Sequence, residues 1–387
     1  MRLSMHPCSA LKSEHATLRF SALTAICLMA GFAIGASPAM RAQVAPAETS
    51  GQSEVSGVPG VSDAIVFAGP PAEFNPLTAS RTELEQYGIP PRPDPSDTVP
   101  FARWKKLVMS PQTRLTDLKV TATNIFHGPA RKAAIKGTAN GTTSATTVNW
   151  SAYAATSANG TFTANDSYVY AEWNVPAVGV ENCNDKPYMS SQWIGFDGAF
   201  ISGDVLQAGT EVDGCPSTYS AWYEWYTSGC TVNSASQPCF SYNLSLPINP
   251  GDLVVAEVWY TTAAPHGHAY MYNYTTQRAA SVAFNEPTSS STHYLGNTVE
   301  WVVERPNGGA PNLTNYVADQ FNWTFGYDGS AYFYPGSSPA SAHIYNISMT
   351  CPGWTPSSAC PTTRDISTVD LFGDGTLWFY DWAPAYQ

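Results

Sequence analysis

The residues best suited to chemistry in this chain are an amide and a carboxyl, each set in a strand-like run of apolar residues. Gln207 stands between Leu206 and Ala208 in Val205-Leu206-Gln207-Ala208-Gly209-Thr210-Glu211, shortly after Trp193-Ile194-Gly195-Phe196-Asp197-Gly198. Glu300 stands between Val299 and Trp301 in Thr298-Val299-Glu300-Trp301-Val302-Val303-Glu304. Successive side chains of a strand point to opposite faces, so both polar groups turn away from their apolar neighbours and sit on rigid elements. A carboxylate can take a proton from water, and an amide can donate to the oxyanion formed when that water adds to a carbonyl. The pair reads as the site of a hydrolase. Glu304 shares the Glu300 face.

More familiar catalytic signatures are missing. There is no GxSxG nucleophile turn and no Asp-Thr-Gly or Asp-Ser-Gly. His266-Gly267-His268 follows Pro265 and reads as a turn, and neither HExxH nor CxxC occurs, so no metal or other cofactor is expected.

The elements around the pair are strands. Tyr168–Val175 is an aromatic run stopped by Pro176. Tyr219–Tyr226 (YSAWYEWY) alternates, with Tyr219, Ala221, Tyr223 and Trp225 on one face and Ser220, Trp222, Glu224 and Tyr226 on the other. Further runs cover Ser241–Leu246, Leu253–Thr261, Ala269–Tyr274, Val282–Asn285, Phe321–Tyr327, Ala331–Tyr334 and Leu377–Trp382. Many strands between turns, with no long helix, predict an all-β sandwich or barrel. Before it, Ser80–Gly88 predicts a short capped helix and Phe101–Val108 a second one, separated by the helix-breaking Ile89-Pro90-Pro91-Arg92-Pro93. Residues 43–75, rich in Ala, Gly, Ser and Pro, read as flexible.

At the start, basic Arg2, Lys12 and Arg19 precede an apolar run from Phe20 to Ala36, with small residues after it. This predicts a cleaved secretory signal over 1–42, with a membrane anchor as the competing reading. Without Cys8 and Cys27, six cysteines remain, an even number that fits disulfides in an oxidising compartment better than a zinc site. Cys230–Cys239 and Cys351–Cys360 close short loops and are the natural pairs, leaving Cys183 and Cys215, although spacing leaves the connectivity open. Residues 140–387 carry 4 basic and 20 acidic groups, a net of −16, against +4 for 1–139. Such an acidic block argues against nucleic-acid binding and suits work at low pH. A basic segment ahead of it, over 43–140, reads as either a docked propeptide or a permanent subdomain. As a propeptide it would be released by acid through a cut between Pro129 and Asn149.

Five motifs in this order, WIGFDG at 193–198, LQAGTE at 206–211, AWYEWY at 221–226, PGD at 250–252 and VEWVVE at 299–304, resemble those of the glutamic peptidase (eqolisin) family. The Tyr87–Pro93 stretch is similar to one ahead of the domain in bacterial members. The resemblance implies a sandwich of two bent antiparallel sheets (jelly-roll, concanavalin-like) over 141–387, and a secreted acid endopeptidase acting on polypeptides; a monomer is expected. It places the catalytic roles at Gln207 and Glu300, and puts Trp193, Asp197 and Glu224 along or beneath the substrate groove. It does not say which carboxylate after Gln207 takes a supporting part. The rivals are a sandwich-fold glycosidase using Glu224 and Glu300 and a non-catalytic, lectin-like sugar-binding domain, since aromatic sheet faces also stack on sugars.

Overall fold

A computed structural model describes residues 52–54 and 64–382, except 116, 132–133, 140, 159, 180–186, 201, 215, 231–238, 288–292, 317, 338–340, 352–363 and 373–374. The expected signal over 1–42 and the residues Cys183, Cys215 and Cys360 lie outside the described residues.

Two mostly antiparallel sheets pack face to face. In the first, strands lie side by side in the order Ala134–Ala139, Thr142–Thr147, Ile344–Thr350, Trp150–Thr156, Thr298–Glu304, Tyr188–Phe196, Val205–Gly214, Ser217–Tyr226, Tyr242–Leu244 and Val120–Ala122. The second runs Arg278–Phe284, Gly267–Asn273, Leu253–Tyr260, Ser167–Asn174, Ala318–Tyr327, Leu377–Asp381 and Asp365–Leu371. Asp365–Leu371 also pairs with Ile344–Thr350, so the sheets join along one edge.

Alternation sorts the side chains. From the first sheet Ile194, Phe196, Leu206, Ala208, Tyr223, Trp225, Val299, Trp301 and Val303 enter a core shared with Val169, Trp173, Val254, Val258 and Phe321 of the second. Each fully buried aliphatic or aromatic side chain there contributes about 1.5–3 kcal/mol. The intervening residues, Trp193, Gln207, Trp222, Glu224 and Glu300 among them, are thereby fixed on the outer face of the first sheet.

The helices stand where expected, at Arg81–Gln86 and Thr98–Met109. The first has a complete capping box between Ser80 and Glu83. The flexible reading of 43–75 fails at its end. Ile65–Phe67 is a strand that adds to the edge of the second sheet beside Val282 and Ala283, and Gln52–Glu54 pairs with it in turn. Val66 and Phe67 are buried, and that burial outweighs the Gly- and Pro-rich composition around them. One disulfide joins Cys230 to Cys239, and Cys351 is also disulfide-bonded.

The basic N-terminal region folds onto both outer faces. On the second sheet, Leu107 packs among Tyr170, Tyr270 and Tyr272. Lys106 Nζ meets Glu172 at 2.9 Å, Arg103 lies 3.3 Å from the Trp323 ring centroid, and Arg81 pairs with Asp166 at 2.8 Å. On the first sheet, residues 126–131 cross the outer face.

Candidate active site

Cross-strand partners in a sheet share a face. Across the middle of the first sheet one such row reads Ala154, Glu300, Gly195, Gln207, Glu224. Gln207 and Glu300 are both register partners of Gly195, which lies on the strand between them. The amide and carboxyl therefore stand about 10 Å apart at their backbones, two strand spacings, over a strand position that carries no side chain. Any Cβ at Gly195 would meet the Leu206 carbonyl oxygen at 2.5 Å and Gln207 Cβ at 2.9 Å.

Both groups are buried, and neither Glu300 carboxyl oxygen nor Gln207 Oε1 has a hydrogen-bond partner among the described residues. Burial holds Glu300 well above the ordinary carboxylate range; the nearby Thr298 hydroxyl opposes this weakly, without hydrogen-bond geometry, and the Asp197 charge adds to it. Glu304 is in a different state. Its Oε2 accepts from Trp193 Nε1 at 2.9 Å and its Oε1 from Asn149 Nδ2 at 3.3 Å. The two glutamates of one strand face are thus distinguishable: Glu304 is spent on holding Trp193, and Glu300 is not committed.

The other expected residues take up supporting places. Trp193 packs edge-on against Trp150, ring centroids 5.0 Å apart. Asp197 has φ 67° and faces the loop before the Glu300 strand. Its Oδ2 accepts from the Leu295 and Gly296 amides at 2.9 and 2.8 Å, and its Oδ1 from the Asn297 amide at 2.6 Å. Burial lifts its pKa to about 6 against those three bonds. Asp197 therefore anchors the loop that leads into Glu300 rather than presenting a free carboxylate.

Glu224 holds His127, a residue that the motifs do not mark. Its Oε2 accepts from the His127 backbone amide at 2.7 Å and lies 2.9 Å from Nδ1. Glu211 Oε2 lies 2.9 Å from Nε2. The ring stacks on Trp222 with centroids 3.6 Å apart and planes 5° from parallel. The His127 carbonyl accepts from Gln207 Nε2 at 2.5 Å. Burial pushes Glu211 up to about 8, raises Glu224 and lowers His127, while the His127 contacts oppose the rise at Glu224.

Around His127 the chain is held group by group. Phe126 exchanges two backbone bonds with Asn307, through its amide to Oδ1 at 3.0 Å and its carbonyl from the Asn307 amide at 2.8 Å. Gly128 carbonyl accepts from Trp150 Nε1 at 3.0 Å, and Pro129 carbonyl from Asn149 Nδ2 at 3.1 Å. The Ala130 amide donates to Gly198 carbonyl at 3.0 Å. A peptide laid across the outer sheet face and bound through its backbone is what a peptide-binding groove provides.

Fold and site define a β-sandwich protein with a buried amide–carboxyl pair on one sheet face, its amide bonded to a backbone carbonyl. The chain belongs to the Peptidase A4 family, whose model matches residues 138–359. It is similar to scytalidopepsin B of Scytalidium lignicola, 33% identical over 137 residues that make up 35% of this chain and 45% of that relative. The chain thus matches about half the length of that curated relative. Two solved structures also resemble it. One is SCP-B, a member of the eqolisin family of peptidases, in complex with the tripeptide Ala-Ile-His, at 19% identity, covering 60% of this chain and 98% of that one with TM-score 0.42. The other is aspergilloglutamic peptidase from Aspergillus niger, at 20% identity, covering 50% and 99% with TM-score 0.37.

Proposed function

We propose that this chain is a secreted acid endopeptidase in which Glu300 and Gln207 cleave peptide bonds by direct attack of water. One observation carries the reading. The only strand position between the two residues is the side-chain-less Gly195, and each presents an acceptor oxygen with no partner among the described residues. A water between them can give a hydrogen bond to Gln207 Oε1 and, in the ionised form of Glu300 that burial disfavours, its proton to that carboxylate as it adds to the carbonyl. Gln207 Nε2 donates to the developing oxyanion, a contribution of about 3–4 kcal/mol to the barrier. Glu300 then returns the proton to the leaving amine. The amide carries no charge at any pH, which suits work in acid.

The competing glycosidase reading needs Glu224 and Glu300 as a pair, about 5–9.5 Å between their carboxyl groups. They lie three strand spacings apart, about 14 Å at the backbone, and Glu224 is engaged with His127. Residues 43–140 are best read as a propeptide, because 126–131 cross the outer face with the His127 carbonyl on Gln207, and Arg81, Arg103, Lys106 and Lys136 pair with acidic groups of the later domain. Trp193, Asp197 and Glu224 serve as groove supports.

Incubation of the purified protein with denatured casein and with xylan across acid pH tests the proposal. Peptide products that vanish in Gln207→Ala are expected. Sugar release, or no product from either polymer, would overturn it.

A further inference from the structure

The occupant of the groove is held through side chains as well as its backbone, most closely at one residue. His127 is bonded at all four of its polar atoms: the amide and Nδ1 to Glu224, Nε2 to Glu211 and the carbonyl to Gln207. Its ring lies flat on Trp222. These partners belong to two adjacent strands of the catalytic row, Val205–Gly214 and Ser217–Tyr226. A histidine buried for packing alone needs one or two partners. Two carboxyls placed on opposite ring nitrogens, with an indole beneath, match the outline and donor pattern of an imidazole, and match no aliphatic or phenyl group.

Position along the peptide gives this pocket a meaning. The carbonyl on Gln207 Nε2 is that of His127 itself, so the pocket receives the side chain of the residue that supplies the acyl group. The next residue is Gly128, where a Cβ would meet the Tyr226 ring at 3.3 Å, so the space on the amine side is narrow.

We propose that Glu211, Glu224 and Trp222 form a specificity pocket for histidine on the acyl side of the cleaved bond, followed by a small residue, and that His127–Gly128 is the chain's own copy of that substrate. The inference rests on the peptidase reading above and names its substrate class. In hydrolysis at such a bond, water adds to the histidine carbonyl carbon, the C–N bond breaks, and the glycine nitrogen leaves as an amine with the proton returned by Glu300.

The test uses the full chain after incubation at acid pH, with denatured casein as the measure of peptidase activity. Blocked fluorogenic peptides copy Asn124–Arg131, with histidine, alanine or phenylalanine at the 127 position and glycine or valine at the 128 position. The histidine–glycine peptide is expected to be cut after histidine, with kcat/KM about 10- to 100-fold above the alanine and phenylalanine forms, the effect of two hydrogen bonds to buried carboxyl groups. Glu211→Gln should narrow that ratio, read between the peptides on the same variant. If Glu211→Gln does not fold, the peptide series on the unaltered protein decides. Casein cleaved with equal rates on all peptides, or a cut elsewhere in the histidine peptide, overturns the pocket and leaves the peptidase standing. No cleavage of casein or of any peptide overturns both.

Discussion

Gln207 and Glu300 were legible in the sequence because alternation alone turns them away from Leu206, Ala208, Val299 and Trp301, and the structure holds them on one sheet face. Their relation to each other was not legible. It depends on both strands pairing with Gly195, a contact between segments separated by about a hundred residues. His127 was invisible for a similar reason. It lies in the basic N-terminal region, and only tertiary packing brings it to Glu211 and Glu224. Its closest signal was its own oddity, a histidine in the short NIFHGPA run that no helix or strand claimed. At this scale the amide makes a sharp prediction. Gln207→Ala should lower kcat by about 100- to 1000-fold, the usual effect of removing an oxyanion donor, with a smaller change in KM. Steady-state kinetics on casein-derived peptides measures it.

Among the elements, two features position the pair. Gly195 keeps the floor between Gln207 and Glu300 clear. Gly195→Ala would press a methyl group on the Leu206 carbonyl and Gln207 Cβ, and should cost at least about tenfold in kcat/KM through displacement of the amide. Circular dichroism would show the fold retained. Asp197 fixes the loop that enters the Glu300 strand. Asp197→Ala strands three backbone amides and should destabilise by about 3 kcal/mol in denaturant unfolding. A change under about 1 kcal/mol would mean the loop holds its shape without the carboxyl. The strand patterns that sequence reading recovered were the bulky aromatic ones. Thr142–Thr147 and Ile344–Thr350 escaped because their small and polar residues blur the alternation, although together they extend the first sheet.

For the whole molecule, the unusual quantity is buried acid. Burial raises Glu211, Asp213 and Asp319 to about 8 and Asp197 to about 6, and holds Glu257, Glu300 and Glu304 well above the ordinary range. In the unfolded chain these groups titrate near 4. Between about pH 4.5 and 8 the folded state therefore binds more protons than the unfolded one, and stability falls as pH rises. His127 and His268, both lowered by burial, act the other way below about pH 6.5 but are fewer. Calorimetry should give a melting temperature at least about 5 °C higher at pH 4.5 than at pH 8. Equal values, or a lower one in acid, would show that burial does not set the acid tolerance. The charge split between the two parts of the sequence pointed toward low pH on weaker grounds, since surface charge says little of which carboxyls are buried.

The central claim is that Glu300, not its neighbour Glu304, handles the proton at a site shared with Gln207. Peptide hydrolysis by Glu300→Gln and Glu304→Gln, with matched melting curves, tests it most directly. Glu300→Gln should lose at least about 100-fold in rate. Glu304→Gln keeps a carbonyl oxygen for Trp193 Nε1 and should stay within about threefold of the unaltered protein. An inactive Glu304→Gln beside an active Glu300→Gln would contradict the assignment.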